Sequence, residues 1–250
     1  MCRLSTDSAP VKRDSSACPF TIRELNITTH LIRENDRFGE YPHIYVKLIS
    51  QTDQNGHITK VLVITDTGVG TASAHTPEHP VWTIKSFIDH NLNPNGEIPY
   101  LVILSHCHFD HILGLPSILN SKQEDCADKK QVTILSSSYQ PSFTTPYANL
   151  EKHSLCKTEQ LPTPVYETSI WAADNAPVIF KHPSGIKMEL PIITFHTPGH
   201  TPDSLSWYDT EERTLYVGDS FYERESAETR DAPWGPERPA PIIFPLEGNL

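Results

Sequence analysis

The chain is short of basic residues and of long hydrophobic runs. It has 250 residues, with 20 Lys and Arg against 31 Asp and Glu, so its formal net charge is −11. Phosphate backbones are bound by basic surfaces, and this balance therefore argues against a nucleic-acid-binding protein. No stretch approaches the ~20 apolar residues of a membrane-spanning helix, and the polar N-terminus lacks the apolar core of a signal peptide. We expect a cytoplasmic protein that contacts neither nucleic acid nor membrane.

Cysteines are also few, and they are widely spaced. The five cysteines form no Cys-x-x-Cys pair, which favours free thiols over a disulfide framework. The chain contains no Gly-x-Ser-x-Gly nucleophile elbow and no phosphate-binding loop. A serine-hydrolase or nucleotide-binding mechanism therefore has no support in the sequence.

The spacing of apolar residues predicts a mixture of strands and helices. We predict strands over 21–27, 43–50, 60–65, 99–105, 132–137, 178–180, 186–195, 205–208 and 214–217. A helix is predicted over 81–91, and the Asn-Gly pair in 54–57 predicts a hairpin turn. The segment 139–175 has no clear period and is interpreted as a long connection with short helices. We expect residues 1–20 to be a polar tail and residues 21–250 to be a single domain.

The run Ser105-His-Cys-His-Phe-Asp-His111 follows an apolar stretch and is the most informative part of the chain. Crowded imidazoles and a carboxylate make a poor core, whereas a metal ion binds both kinds of group. On an extended segment His106 and His108 project to the same side and can reach one ion, and Cys107 points away as a packed thiol. Asp110 then lies in the following turn, where it can reach a second ion. The alternative interpretation is a His-rich surface loop.

This run resembles the His-x-His-x-Asp-His signature of the metallo-β-lactamase superfamily. Three further motifs follow the order that the superfamily has: Asp66 in Asp-Thr-Gly, His200 in Thr-Pro-Gly-His-Thr-Pro and Asp219 in Val-Gly-Asp-Ser. The four motifs together are far more specific than any one of them. The resemblance implies an α+β fold, the αββα sandwich of two mixed β-sheets flanked by helices, with its ligands on loops at one sheet edge.

The resemblance also implies two adjacent metal sites. Three imidazoles would hold the first ion, and an imidazole with two carboxylates, the last of them bridging, would hold the second: His106, His108 and His200, then His111, Asp110 and Asp219. Asp66 would orient a ligand or the loop backbone from behind the site. This donor set suits zinc best, and iron or manganese would also fit. As alternatives, His200 could be an ordinary loop residue and Asp219 the cap of a turn.

A metal-dependent hydrolase is the function that this resemblance implies. A metal-activated hydroxide would attack a small ester, lactone, thioester or lactam, and Asp110 would be the catalytic residue that moves a proton to the leaving group. The motif is most similar to lactonase-like and glyoxalase-II-like hydrolases. Tyr222 could donate a hydrogen bond to the small carbonyl substrate or simply pack.

The end of the chain departs from the superfamily pattern. No histidine follows Asp219, whereas two-metal members carry one more histidine ligand there. We expect a C-terminally incomplete chain that lacks the usual last strand and helix, so that the second ion binds more weakly. The alternative is a complete protein with an incomplete second site. Two other functions stay open: a mononuclear iron enzyme similar to persulfide dioxygenases, and a non-catalytic member.

Overall fold

Two β-sheets form the framework of the chain. The computed structural model describes residues 18–74, 81–119 and 132–221. The first sheet has seven strands: β1 (Phe20–Glu24), β2 (Thr29–Glu34), β3 (His43–Thr52), β4 (Ile58–Thr65), β5 (Tyr100–Ile103), β6 (Val132–Ser137) and β7 (Ile170–Ala172). The second has four: β8 (Ala176–Lys181), β9 (Lys187–His196), β10 (Leu205–Asp209) and β11 (Thr214–Tyr216). The helices are α1 (Ile84–Leu92), α2 (Phe109–Ile112), α3 (Leu115–Leu119) and α4 (Tyr147–His153), with 3₁₀ turns at Pro141–Phe143 and Gly218–Ser220.

The seven-stranded sheet is mixed, and its parallel half positions the candidate site. Strands β1 to β4 pair antiparallel in chain order, and the predicted hairpin joins β3 to β4, with Gly56 at a φ of 82°. Strands β4, β5, β6 and β7 then pair in parallel. Parallel strands run in one direction, so the loops that follow β4, β5 and β6 all leave the sheet at the same edge.

Strand β4 shows how the sheet is buried on both faces. Val61 and Val63 belong to a core between the two sheets, together with Phe180 and Trp207 of the second sheet. The alternate residue Ile64 belongs to a second core, beneath α1 to α4. Side chains alternate between the faces of a strand, so a strand with two buried faces has a continuous apolar sequence rather than an alternating one.

Helix α1 is fixed by its cap and by one apolar face. Thr83 caps the N-terminus, and its side chain accepts a hydrogen bond from the backbone N–H of Ser86, whose own side chain accepts from the Thr83 N–H. This reciprocal arrangement satisfies two donors that the first helical turn would otherwise leave free. Ile84, Phe87 and Ile88 are buried against the seven-stranded sheet. Among the described residues, no helix has the length and hydrophobicity needed to cross a membrane.

The predicted α+β two-sheet sandwich is confirmed, with two differences of detail. The second sheet was expected to be mixed, but all its described pairs, β8–β9, β9–β10 and β10–β11, are antiparallel. Helices were expected outside both sheets, and the described helices pack on the seven-stranded sheet. The division into a tail and a single domain stays a prediction, since residues 1–17 lie outside the described residues.

Two strands were not predicted, and the predictions of β1 and β5 ran past their ends; β5 ends at Ile103, two residues before the predicted end at 105. Strand β2 carries polar residues that are nevertheless buried, including Arg33 and Glu34, and so gives no clean alternation. Strand β7 has three residues and lies within the segment 139–175, where no period was visible. The first predicted strand reached residue 27, but β1 ends at Glu24 because the side chain of Asn26 accepts backbone hydrogen bonds from Thr28 and Thr29.

A buried ion pair joins the two sheets. Lys47 of β3 is buried, and its Nζ lies 2.7 Å from Oδ2 of Asp209 in β10 and 3.2 Å from Oγ1 of Thr28. Asp209 Oδ1 accepts backbone hydrogen bonds from Glu211 and Glu212. Removing one partner of such a pair leaves an uncompensated charge in a poorly solvated position.

We expect Lys47→Met to lower the free energy of unfolding by about 3–5 kcal/mol, because Asp209 then remains buried without its counter-ion. Urea denaturation measures the change. Lys60→Met, at an exposed lysine of β4, is the matched control and should change stability by less than about 0.5 kcal/mol. Combining Lys47→Met with Asp209→Asn removes both charges, keeps the Oδ1 acceptor and should recover part of the loss. Equal effects of Lys47→Met and Lys60→Met would contradict a stabilising role for the pair.

Candidate metal centre

The candidate site lies at the edge of the seven-stranded sheet where the parallel strands end. The apolar strand β5 is buried along its whole length, and the chain continues from it into Ser105 and His106. The carbonyl oxygen of Ser105 accepts a hydrogen bond of 2.7 Å from the backbone N–H of Leu205, at the start of β10. This bond ties the second sheet to the loop after β5, and it holds the nearby turn that carries His200 close to that loop.

Three imidazoles meet at this edge. The ring centroids of His106, His108 and His200 lie 4.6 to 4.8 Å apart. The Nε2 atom of His200 lies 2.9 Å from the Nδ1 atom of His108. One nitrogen from each ring belongs to a set of donor atoms that all lie within 4.8 Å of one another. The structure therefore brings together residues that are 92 positions apart in the chain.

A second set of donor atoms adjoins the first and shares His106 with it. It consists of His106, His111 and Asp219, again within 4.8 Å of one another. The Nε2 atom of His111 lies 3.2 Å from Asp219 Oδ1 and 3.3 Å from Asp110 Oδ2. Asp219 Oδ2 is 3.7 Å from Nε2 of His200, so its carboxylate lies between the two sets. Asp110 belongs to neither set but faces the same imidazole.

Asp66 holds the second set in place from behind. Its carboxylate accepts hydrogen bonds from the backbone N–H of Ser105 (2.8 Å), from the Ser105 hydroxyl (2.7 Å) and from Nδ1 of His111 (2.9 Å). Donation from Nδ1 fixes the tautomer of His111 and leaves the lone pair of Nε2 directed at Asp110 and Asp219. Asp66 has a φ of 60°, a backbone conformation that aspartate tolerates better than most residues.

The pKa values of the imidazoles divide into two groups. Burial lowers the pKa of His106, and the neighbouring rings of His111 and His108 lower it further. Burial also lowers the pKa of His108 to about 4 and lowers the pKa of His200. Burial opposes the charged form of His111 too, but the carboxylates of Asp110, Asp219 and Asp66 outweigh it and raise the pKa of this residue. Neutral imidazole is the form that binds a metal ion.

Two buried nitrogen atoms indicate that a cation fits this site. The Nε2 atom of His106 is buried and has no hydrogen-bond partner among the described residues, and the buried Nε2 atom of His111 faces the carboxylates of Asp110 and Asp219. Buried polar atoms without partners are costly and are uncommon in folded proteins. A divalent ion would bind these lone pairs and would balance the two carboxylates beside them. The donor chemistry therefore suits a metal, and the residues that could hold it are those of the two sets.

A close backbone approach also shapes the site. Gly218, next to Asp219, has a φ of 52°, and a Cβ atom there would lie 2.6 Å from the Cβ of Ser105. Only glycine meets both requirements, because it tolerates this conformation and leaves room for the loop after β5. The turn that presents Asp219 can thus lie directly against the histidine loop.

Two further predictions concerned Tyr222 and Cys107. Tyr222 lies outside the described residues, so its contact with substrate stays a prediction. Cys107 is buried with 1% exposure, and burial, helped by the nearby Asp203 carboxyl, raises the pKa of its thiol. It therefore has the surroundings expected of a packed thiol.

Glu34 is a supporting residue that the sequence did not suggest. Its buried carboxylate accepts backbone hydrogen bonds from Val69 (2.8 Å) and Thr71 (2.6 Å), in the loop that begins with Asp66. A Cβ atom at Gly68 would lie 2.0 Å from the Glu34 carboxylate, so glycine is needed for this approach. No motif surrounds Glu34, and a buried glutamate in an unpredicted strand gave no signal.

Comparison with known proteins agrees with this geometry. A family model described as the metallo-beta-lactamase superfamily matches residues 143–245, a segment that includes His200 and Asp219. The matched segment agrees with the resemblance of the sequence motifs to that superfamily, and it contains the last two of the four motifs.

One curated relative and two solved structures illustrate the similarity. A protein of Aspergillus versicolor named "Putative transcription factor avaE" is 34% identical over 227 residues, which are 87% of this chain and 60% of that protein. The chain thus spans about three fifths of this relative. The BLEG-1 B3 metallo-beta-lactamase is 18% identical with a TM-score of 0.45, covering 79% of this chain and 75% of its own. A metallo-beta-lactamase from Erythrobacter litoralis is 13% identical with a TM-score of 0.45, covering 86% and 76%.

We expect Asp66→Asn to weaken binding of Zn²⁺ by about 10- to 100-fold, because the amide can no longer accept from both Ser105 and His111. Competition with a metal-binding dye measures the affinity. Asp53→Asn, in the exposed β3–β4 turn, is the control for loss of one carboxylate and should leave the affinity unchanged. An unchanged affinity in Asp66→Asn would show that Asp66 does not orient a ligand.

The stability of the folded protein should depend on pH through the carboxyl group of Glu34. Burial raises the pKa of Glu34 from 4.5 to about 7 in the folded protein. An acid with a raised pKa favours folding most below its unfolded pKa, and this contribution is lost as the pH rises through about 7. The stability of the wild type relative to Glu34→Gln should therefore fall by about 3 kcal/mol between pH 4.5 and pH 8.

Urea denaturation at a series of pH values measures this difference, and taking it between two proteins cancels the titration of the histidines. The control is Glu97→Gln, which removes an exposed glutamate. A difference between wild type and Glu34→Gln that does not change with pH would contradict the raised pKa.

Proposed function

We propose that the protein is a metal-dependent hydrolase that acts on a small ester, lactone, thioester or lactam. One observation carries the proposal: two donor sets, with a buried and unpartnered nitrogen on His106 and two carboxylates beside His111, adjoin each other at the sheet edge. Similarity of residues 143–245 to a superfamily made up mostly of metal-dependent hydrolases supports the same function. Among these substrates we place lactones first, because the motif resembles lactonase-like hydrolases.

Zinc is the metal that we propose for the site. Neutral imidazoles with carboxylates suit zinc, and iron or manganese would also fit. The set of His106, His108 and His200 would hold the tighter ion, since it needs no carboxylate shared with other groups. His111 and Asp219, with Asp110 beside them, would hold the weaker one. A divalent ion bound there would polarise a carbonyl group and lower the pKa of water.

Side chains of the protein would then transfer the proton of the reaction and orient the metal ligands. Asp110 is partly exposed and lines a cavity, so its carboxylate can accept a proton from the attacking solvent molecule and return it to the leaving group. Asp66 keeps His111 in the tautomer whose Nε2 faces that cavity. His106 is buried with 2% exposure and cannot exchange protons freely with solvent.

The proposed partner is a small molecule, and the proposed location is the cytoplasm. The relative from Aspergillus versicolor is named as a transcription factor, but we do not extend that role to this chain. A formal net charge of −11 opposes contact with a phosphate backbone, and we propose a small carbonyl compound as the partner, with no nucleic acid or membrane. The described cysteines, Cys18, Cys107 and Cys156, are free thiols, which supports a reducing compartment such as the cytoplasm.

A second candidate is a one-metal enzyme similar to persulfide dioxygenases. The observation that favours it is that His106 is within reach of both donor sets, and its Nε2 atom can bind only one ion. A single ion would use that nitrogen without competition. This candidate predicts one iron per chain and consumption of oxygen with a persulfide.

Metal analysis and a substrate panel distinguish the two candidates. The purified chain is loaded with zinc or iron, its metal content is measured, and it is assayed on lactones, thioesters and a chromogenic lactam. Hydrolysis with bound zinc supports the hydrolase. One iron per chain with oxygen uptake supports the dioxygenase. A folded protein that binds neither metal would overturn both.

We expect Asp110→Asn to lower kcat for the best substrate by roughly 10²- to 10⁴-fold, the usual contribution of a general acid–base residue. His106→Ala should remove metal binding and activity together. The control is His57→Ala in the exposed hairpin, where the imidazole is 79% exposed and remote from both donor sets. Steady-state kinetics and metal content give the readout, and wild-type kcat in metal-loaded Asp110→Asn would exclude Asp110 from proton transfer.

A further inference from the structure

A cavity of about 320 Å³ opens directly beside the candidate metal centre. Asp110, His111 and Asp219 line it on one side. A second cavity, of about 510 Å³, contacts only His200 among the donor residues. The smaller cavity therefore adjoins the groups proposed to react, and a substrate bound there would reach them. Its volume lies at the lower end of the range for small-molecule sites.

Three rings also line this cavity, and we call them its aromatic wall. His43 and Tyr45 of β3 and Tyr216 of β11 all line it. The rings of His43 and Tyr45 meet edge to face with centroids 6.2 Å apart, and those of Tyr45 and Tyr216 do so at 5.0 Å. Behind them, Trp207 stacks on Tyr216 with centroids 3.9 Å apart and planes inclined by 9°. The rings thus form a continuous series that ends in the core between the sheets.

The inner end of this series is fixed in the core. Tyr216 is 5% exposed and Trp207 is 1% exposed, and the indole N–H of Trp207 donates to the hydroxyl of Thr65. Thr65 is the residue immediately before Asp66, so the aromatic wall and the ligand-orienting carboxylate are held by the same strand end. Rings fixed at well-defined positions lose little entropy when another ring packs against them.

We propose that this aromatic wall selects substrates whose acyl part is a flat, unsaturated ring. The inference rests on the proposed hydrolase function and adds the class of substrate to it. Aromatic side chains favour other rings in edge-to-face or offset-stacked arrangements, beyond the area that they bury. A saturated ring of similar size fills the same space without this preference. The acyl carbon would then lie toward Asp110 and Asp219, which line the same cavity.

Two thioesters with the same leaving group test the proposal. S-methyl thiobenzoate and S-methyl cyclohexanecarbothioate both release methanethiol, which a thiol reagent detects. Each kcat/KM is divided by the rate of the uncatalysed reaction with hydroxide. We expect the aromatic substrate to be favoured by roughly 2- to 12-fold, corresponding to the ~0.5–1.5 kcal/mol of an aromatic pair.

Variants at Tyr45 test whether the aromatic wall causes the preference for the aromatic thioester. Tyr45→Leu removes the ring and should abolish the preference, whereas Tyr45→Phe keeps the ring and should retain it. Tyr208→Leu is the matched control, since Tyr208 is half-buried in β10 but lines neither cavity. If Tyr45→Leu fails to fold, judged by its thermal melting, His43→Leu and His43→Phe provide the same comparison at the next ring.

A binding measurement separates this inference from the proposed function. Calorimetry compares benzamide with cyclohexanecarboxamide, which are uncharged and are not thioesters. If neither thioester nor any member of the substrate panel is hydrolysed but benzamide binds more tightly, and this difference is lost in Tyr45→Leu, the ring-selective cavity stands and the hydrolase proposal fails. If both thioesters are hydrolysed equally well, or if Tyr45→Leu keeps the preference, the aromatic wall does not select substrate and the inference is overturned.

Discussion

The carboxylate of Asp66 is the contact on which the rest of the site depends. It accepts the backbone N–H and the hydroxyl of Ser105 and the Nδ1–H of His111, so one side chain joins the end of β4 to both ends of the histidine loop. A buried carboxylate with three donors is well satisfied, and it imposes one geometry on the groups that donate to it. The positions of His106 and His111 depend on this one residue, because it holds Ser105 and the His111 ring.

The two sheets contribute to the site in different ways. The parallel half of the seven-stranded sheet supplies the loops with Asp66 and His106, because parallel strands end at the same edge. The four-stranded sheet brings His200 and Asp219, and the hydrogen bond from the Leu205 N–H to the Ser105 carbonyl fixes their approach. The apolar core between the sheets holds the two halves together, so the site is assembled across an interface that is itself hydrophobic.

The local spacing of apolar residues was sufficient to predict most of the strands and helix α1. The apolar strands β3 to β6 and helix α1 were predicted because continuous burial or helical spacing is visible in a single stretch of sequence. Strand β2 was missed, since Arg33 and Glu34 are buried there only because distant parts of the chain surround them. Strand β7 was missed because three residues are too few to show a period. Burial of a polar residue is decided by its partners, which sequence alone does not identify.

The sequence by itself determined the superfamily motifs, and hence the residues that converge: His106, His108, His111, His200 and Asp219. The tertiary structure alone decided that His106 belongs to both donor sets, that Asp110 belongs to neither, and that Glu34 holds the loop of Asp66. It also decided that His43, Tyr45 and Tyr216 line the same cavity as Asp110, His111 and Asp219. The physical reason is the same in each case: a motif specifies the chemistry of a side chain, whereas distances between remote segments follow from how the sheets pack.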